Sequence, residues 1–151
     1  MEVKTATTES DLLSKESESI IRNLYAVAET QDSKKFAQLF TADGTINDTA
    51  AGVIYKGYDG IAKELDVYST AFPDMHRELY SMYVVGDTVI VELSLNGTHN
   101  GPLVMPSGTI AATGKEFHAP CCDVFRIRDG KVFSFNCYAA GTVMLRQLGI
   151  L

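Results

Sequence analysis

The chain predicts an α+β domain, in which a cone-shaped, curved and mainly antiparallel sheet wraps around three N-terminal helices. Three observations predict it. Apolar residues recur with a helical period up to Phe72 and with a period of two from Met75 to Tyr138, and helices followed by a run of strands is the α+β order. Gly86-Asp87 and Asp129-Gly130 punctuate the second half, as tight turns between antiparallel strands require. With 46% hydrophobic and 21% charged residues among 151, the chain can bury a core as one domain, 1–151, with no metal or disulfide to hold it.

The elements follow in order. Residues 1 to about 9 are polar and expected to fray. Leu13, Ile20, Ile21, Leu24, Tyr25, Val27 and Ala28 form one face of a long helix from Leu12 to near Thr30, with Ser10 or Asp11 able to cap it. Asp32 opens a short second helix through Phe36, Leu39 and Phe40, which Thr41-Ala42-Asp43-Gly44 ends. Two short strands, 45–48 and 53–56, flank an Ala-Ala-Gly turn. A third helix spans Gly57 to about Phe72, with Ile61, Leu65, Val67, Tyr68 and Ala71 inward and Pro73 as its stop. Strands are predicted at 75–85, 89–99, 117–128 and 132–138; the intervening loop, 100–115, is long enough to serve as a pocket rim.

Charge and thiols exclude several functions. A net charge of −6 without any basic stripe argues against nucleic acid, whose phosphates need clustered Lys and Arg. No stretch of eighteen uncharged apolar residues occurs, so no membrane partner is expected, and the N-terminus lacks an apolar leader, which points to the cytoplasm. Cys121 and Cys122 point to opposite faces of one strand, so reduced thiols are expected there.

Five segments carry a family resemblance: Ala71-Phe72-Pro73-Asp74, Gly86-Asp87-Thr88-Val89, Gly97-Thr98-His99-Asn100-Gly101-Pro102-Leu103, Asp123 to Val132 and Leu145-Arg146-Gln147-Leu148-Gly149. In order and spacing the chain resembles the SnoaL-like polyketide cyclases of the nuclear transport factor 2-like, or ketosteroid isomerase-like, superfamily, over about residues 15 to 150. The resemblance implies a cone with an inner cavity, relatives that form homodimers or homotetramers, and ring closure by intramolecular aldol condensation without metal or organic cofactor. It also implies an acid/base aspartate at the end of the last strand and a histidine on the strand before. Those positions are Cys137 and Asp123 here, so ancestry is better matched than chemistry. Because the superfamily carries several reactions on one cone, fold does not decide function.

The candidate catalytic residues are Asp123, Cys137 and His118. Asp123 lies in an apolar stretch, where desolvation raises a carboxyl toward a useful base. The Asp129-Gly130 hairpin puts Cys137 within its reach, but a thiol of ordinary pKa is a mediocre base. His118 would share Asp123's face only if a bulge near Pro120 shifted the alternation. The His118, Cys121, Cys122 run lacks the remaining ligands of a tetrahedral set, so no metal is expected, and the resemblance implies no organic cofactor. His76 and His99 read as loop supports. Tyr25, Phe40, Asn47, Tyr55, Phe72 and Phe117 are the candidate substrate-binding residues, placed around the cavity by the resemblance. Asn47 and Tyr55 could donate to an oxyanion.

The expected partner is a small hydrophobic molecule in a cavity of about 300 Å³ or more. The expected activity is acid/base chemistry on a ketone or polyketide-like compound, of the cyclase or isomerase type. A noncatalytic binding or assembly protein on the same fold is the rival reading. Epoxide hydrolysis is weaker, since it needs two carboxylates and an arginine around a water.

Overall fold

A computed structural model describes residues 9–151; the N-terminal expectation of fraying concerns residues that lie almost wholly outside the described range. The elements are α1 (Glu9–Glu29), α2 (Ser33–Ala37), β1 (Phe40–Asp48), β2 (Val53–Lys56), α3 (Gly57–Ala71), β3 (His76–Val85), β4 (Thr88–Thr98), β5 (Leu103–Met105), β6 (Gly108–Ile110), β7 (Glu116–Arg128), β8 (Lys131–Ala139) and α4 (Gly141–Gln147). Six strands form one sheet in the order β2-β1-β8-β7-β4-β3. Its pairs are antiparallel except β1 with β8, so the sheet is mixed but mainly antiparallel, in the expected α+β arrangement.

Local chemistry accounts for most boundaries. The Asp32 carboxylate accepts from the Lys35 amide and caps α2. The Asp129-Gly130 pair takes φ of 53° and 76°, the left-handed pair that joins β7 to β8 without splaying them. Register slips in β1, near Tyr80 in β3 and near Phe133 in β8 bend the sheet. Its concave face covers α1, α2 and α3 and buries Ile21, Leu24, Phe40, Ile46, Ile61, Leu65, Phe125 and Val132.

Three expectations need correction. Leu39 and Phe40 leave the second helix: Phe40 starts β1, pairs with Val132 of β8, and packs edge-on against Phe36. Segment 100–115 is no pocket rim but carries the β5–β6 hairpin, with Leu103 buried against Phe72, Phe117 and Leu148 in a second apolar cluster. Its entry is tight, since a Cβ on Gly101 would meet the Thr70 carbonyl oxygen at 2.0 Å. His99 anchors its exit, with Nδ1 accepting from the Thr113 amide at 3.2 Å. Finally, α4 follows β8 and docks on β7, an element the strand period hid.

Candidate active site

Strand β7 alternates without a break, so Phe117, Ala119, Cys121, Asp123, Phe125 and Ile127 point into the cone. Asp123, 2% exposed, pairs in register with Cys137 of β8. Its Oδ2 accepts from the Tyr25 hydroxyl of α1 at 2.6 Å and its Oδ1 from the Cys121 thiol at 3.2 Å. Burial pushes the Asp123 carboxyl up; the hydrogen bonds from Tyr25, Cys121 and Cys137 and the charge of Arg77 only partly offset this. Burial and the facing carboxylate push the Tyr25 phenol far up, so it stays a donor.

A second pair of the same kind lies across the cavity. Tyr68 of α3 donates to Asp48 of β1, which is 3% exposed and also accepts from the Ala51 amide at 3.1 Å. Burial, then Asp48, pushes the Tyr68 phenol up.

Glu64, one helical turn before Tyr68, faces the cavity between these pairs. The residue keeps some surface open to the cavity while protein surrounds its carboxyl, and no protein group among the described residues hydrogen-bonds it. Burial pushes that carboxyl up to about 8, with Arg77 opposing the rise and Asp48 and Asp123 adding to it. Arg77 enters from β3 as the one cationic side chain among the described lining residues. Its guanidinium lies 3.7 Å from Glu29 at the end of α1, and the same Glu29 oxygen accepts from the Arg77 amide at 2.9 Å.

The cavity these groups share measures about 60 Å³. That is well short of the expected volume of about 300 Å³. The long side chains of Glu64, Tyr68, Met75, Arg77 and Met144 line the space and narrow it, and Phe36, Phe117 and Phe135 complete its apolar wall.

Of the residues singled out from the sequence, Asp123, Cys137, Tyr25 and Phe117 meet on this cavity. His118 does not: β4 and β7 pair in continuous register from Thr88–Arg126 to Thr98–Glu116, no bulge intervenes, and His118 is exposed on the outer face. There its ring meets Asn96 and its amide donates to Gln147 of α4 at 2.6 Å. Phe40 is core, packed against Phe36. Asn47 alternates away from the cavity, which leaves that place to Asp48. Tyr55 packs against the main core beside the site, and Phe72 stacks on Phe117 and His99 behind the cavity wall. Tyr55 still senses the site, its phenol pushed up by burial and by Glu64 and Asp48.

Glu64, Asp48 and Arg77 escaped the sequence reading although a signal existed for each, and Tyr68 reads as inward without a site role. Glu64 sits three residues after Ile61 and four before Tyr68, inside the apolar stripe of its helix. Asp48 and Arg77 occupy the inward phase of their strands, with Ile46 and Leu79 as same-phase neighbours.

The Cys121 and Cys137 sulfurs stand 3.7 Å apart, and with an Asp123 oxygen they form three donors within 4.8 Å of one another. Hydrogen bonding to Cys121 and burial push the Cys137 thiol well up, and the Cys121 thiol is raised too, because burial and Asp123 outweigh the lowering effect of its bond to Cys137. Metal ligation requires thiolates, so this environment resists it. The same shift makes Cys137 a neutral thiol rather than a base or nucleophile.

Residues 21–135 match the family model of the SnoaL-like domain. No curated protein matches the chain. Among solved structures, a candidate SnoaL-like polyketide cyclase from Jannaschia sp. CCS1 superposes with a TM-score of 0.80 at 14% identity, covering 100% of this chain and 99% of that one. IdmH from Streptomyces antibioticus, a candidate polyketide cyclase, gives 0.72 at 23% identity, covering 88% and 98%. A Catenulispora acidiphila protein with a ketosteroid isomerase-like fold, solved in complex with trimethylamine, gives 0.74 at 23%, covering 87% and 93%. At these identities the structures show the fold alone. Among the described residues no helix is long and apolar enough to cross a membrane.

Proposed function

The chain belongs to the SnoaL-like domain family, and we propose that it is a cofactor-independent acid/base enzyme that removes a proton next to the carbonyl of a small substrate, with Glu64 as the base. The observation that carries this reading is the uncommitted Glu64 carboxyl, pushed up to about 8 beside the only cationic side chain among the described lining residues. A base works best when its pKa lies near the working pH, and this carboxyl has been moved there by its surroundings.

Asp123, first expected to be the base, has oxygens committed to Tyr25 and Cys121. It supports the site instead, fixing the wall from which Tyr25 faces the cavity. Arg77 takes the electrophilic part. Held by Glu29 on its outer side, it presents positive charge where an enolate oxygen would develop, and such fixed charge in a dry site stabilises an oxyanion strongly. Proton transfer from carbon to the Glu64 carboxylate leaves the electron pair in the enolate; return of the proton, or attack of the enolate carbon on a second carbonyl, completes an isomerase or a cyclase cycle.

The narrow cavity limits the substrate to a small molecule or to the small reacting end of a longer one. A neighbour of this fold, solved in complex with trimethylamine, binds a molecule of that size. The free cysteines, with two sulfurs in contact and not bonded, suit a reducing compartment such as the cytoplasm.

Deuterium exchange tests the proposal. In D₂O, the protein should speed loss of the α-proton NMR signal from one or more small ketones or 1,3-diketones by about 10²-fold or more over buffer. Glu64→Gln should return the rate to within about tenfold of buffer, and Asp123→Asn should lose less. Exchange by Glu64→Gln at the natural rate, or no exchange by the natural protein with any of the panel, would refute it.

A further inference from the structure

We propose that the ligand of this cavity carries a protonated amine: the site selects small ammonium-bearing molecules over neutral or anionic ones of the same shape. The inference rests on the cavity being the working site, and it adds the substrate's charge.

Three carboxyl side chains, Asp48, Glu64 and Asp123, line the cavity against one guanidinium, Arg77. Arg77 already faces an outside carboxylate, Glu29, at 3.7 Å, so its charge is shared away from the cavity. The balance inside is therefore negative whenever two or more of the acids ionise. Two of them are hydrogen-bonded to tyrosines and are held in place whether or not a ligand is present. Glu64 is different, because it is partly buried on the cavity wall and its carboxyl has no protein hydrogen-bond partner among the described residues. A buried carboxylate without a partner is costly, and a cation placed beside it removes that cost.

The rest of the wall suits an alkylammonium ion better than a metal or a bare ammonium. Tyr25, Tyr68, Phe36, Phe117 and Phe135 line the space, and aromatic side chains attract organic cations while accepting the alkyl groups as apolar surface. An anion has the Arg77 guanidinium as its one cationic partner on the wall and meets three carboxyls besides. A neutral molecule would gain the apolar contact and leave Glu64 unpaired.

A consequence follows for protons. Burial holds Glu64 protonated up to about 8. Seating a cation beside it must therefore expel that proton below this pH. The groups that face Glu64 are Asp48 of β1, Tyr55 of β2, Tyr68 of its own helix, Arg77 of β3, Asp123 of β7 and Cys137 of β8. Among them Asp123 is also raised and contributes release on the acid side, while the phenols and the thiol are raised and stay neutral in this window.

The test uses the natural protein and three probes that share one isopropyl group: isopropylammonium, isopropanol and isobutyrate. Calorimetry at pH 8 should show the cation binding about tenfold or more tighter than the alcohol, with the anion weakest. Between pH 6 and 8 the cation's affinity should rise by up to about tenfold per pH unit, with proton release seen as a dependence of heat on buffer ionisation, while the alcohol's affinity stays flat. Glu64→Gln should lose about tenfold for the cation and leave the alcohol within about twofold; the pH slope of the natural protein serves the same end should that variant fold poorly. Equal binding of the cation and the alcohol, tightest binding of isobutyrate, or no binding of any probe overturns the inference. Because binding is read without turnover, a protein that prefers the cation but exchanges no α-protons refutes the catalytic proposal alone, and one that exchanges them without the preference refutes only this one.

Discussion

Replacing Glu64 by Gln should stabilise the protein, and more so the higher the pH. In the folded chain the carboxyl rises from an ordinary 4.5 to about 8 because burial penalises its charge. Between these values the unfolded chain has released the proton while the folded chain still holds it. The folded state then binds more protons, so stability must fall as pH rises through this window, and the loss is complete above about 8. At about 1.4 kcal/mol per pH unit, the full rise corresponds to at most about 5 kcal/mol, and movement of Arg77 toward the carboxylate reduces it to a few kcal/mol. Glutamine keeps the shape and carries no charge in either state, so the variant does not pay this penalty. Urea denaturation of both proteins from pH 4 to 9 should give curves that nearly coincide at the acid end and diverge steadily to a plateau above pH 8, with Glu64→Gln the more stable. Parallel curves, or a variant less stable than the natural protein at pH 9, would refute the reasoning, since either would mean that Glu64 is ionised and satisfied in the folded state.

Other predictions concern the neighbours of this group. Tyr25→Phe removes the 2.6 Å bond to the buried Asp123 and should cost about 1 to 3 kcal/mol by denaturation, while raising the Asp123 carboxyl further in a carbon-13 titration. Phe125→Ala, at a fully buried position that contacts both Tyr25 and Phe135, should cost about 3 to 5 kcal/mol. The natural protein and Cys137→Asp should both fail to turn over polycyclic ketoesters, because a cavity of about 60 Å³ does not admit them; turnover by either would show that the cone opens far wider. We further propose a homodimer through the outer sheet face, where Tyr80, Tyr83, Val85 and Tyr138 are exposed, and sedimentation giving only the monomer mass at micromolar concentration would exclude it.

Much of this arrangement is legible in the residues. The period change at Pro73 and the Asp129-Gly130 turn place β7 against β8, but the turn alone would set Asp123 opposite Asn136; the slip at Phe133 of β8 brings it to Cys137. Strict alternation along β7 also separates His118 from Asp123, and the unbroken β4–β7 register leaves no bulge to rejoin them. What stays hidden depends on tertiary phase. Asn47 and Asp48 differ by one residue; Asp48 shares the inward phase of Ile46, a signal confined to two residues because the strand slips against β8 between Phe40 and Thr45. Glu64 lies within the apolar stripe of its helix, but it becomes a site group only when Asp48, Asp123 and Arg77, distant in sequence, close around it. The cavity volume is hidden for the same reason, since it depends on how far long side chains from α3, β3 and α4 reach into the cone.

The account turns on one carboxyl, and a carbon-13 NMR titration of the glutamate side chains observes it directly. One glutamate signal should stay protonated through neutrality, titrate near 8 and vanish in Glu64→Gln, whereas a complete set of glutamates titrating in the ordinary range near 4.5 would contradict the placement of a poised base in this cavity.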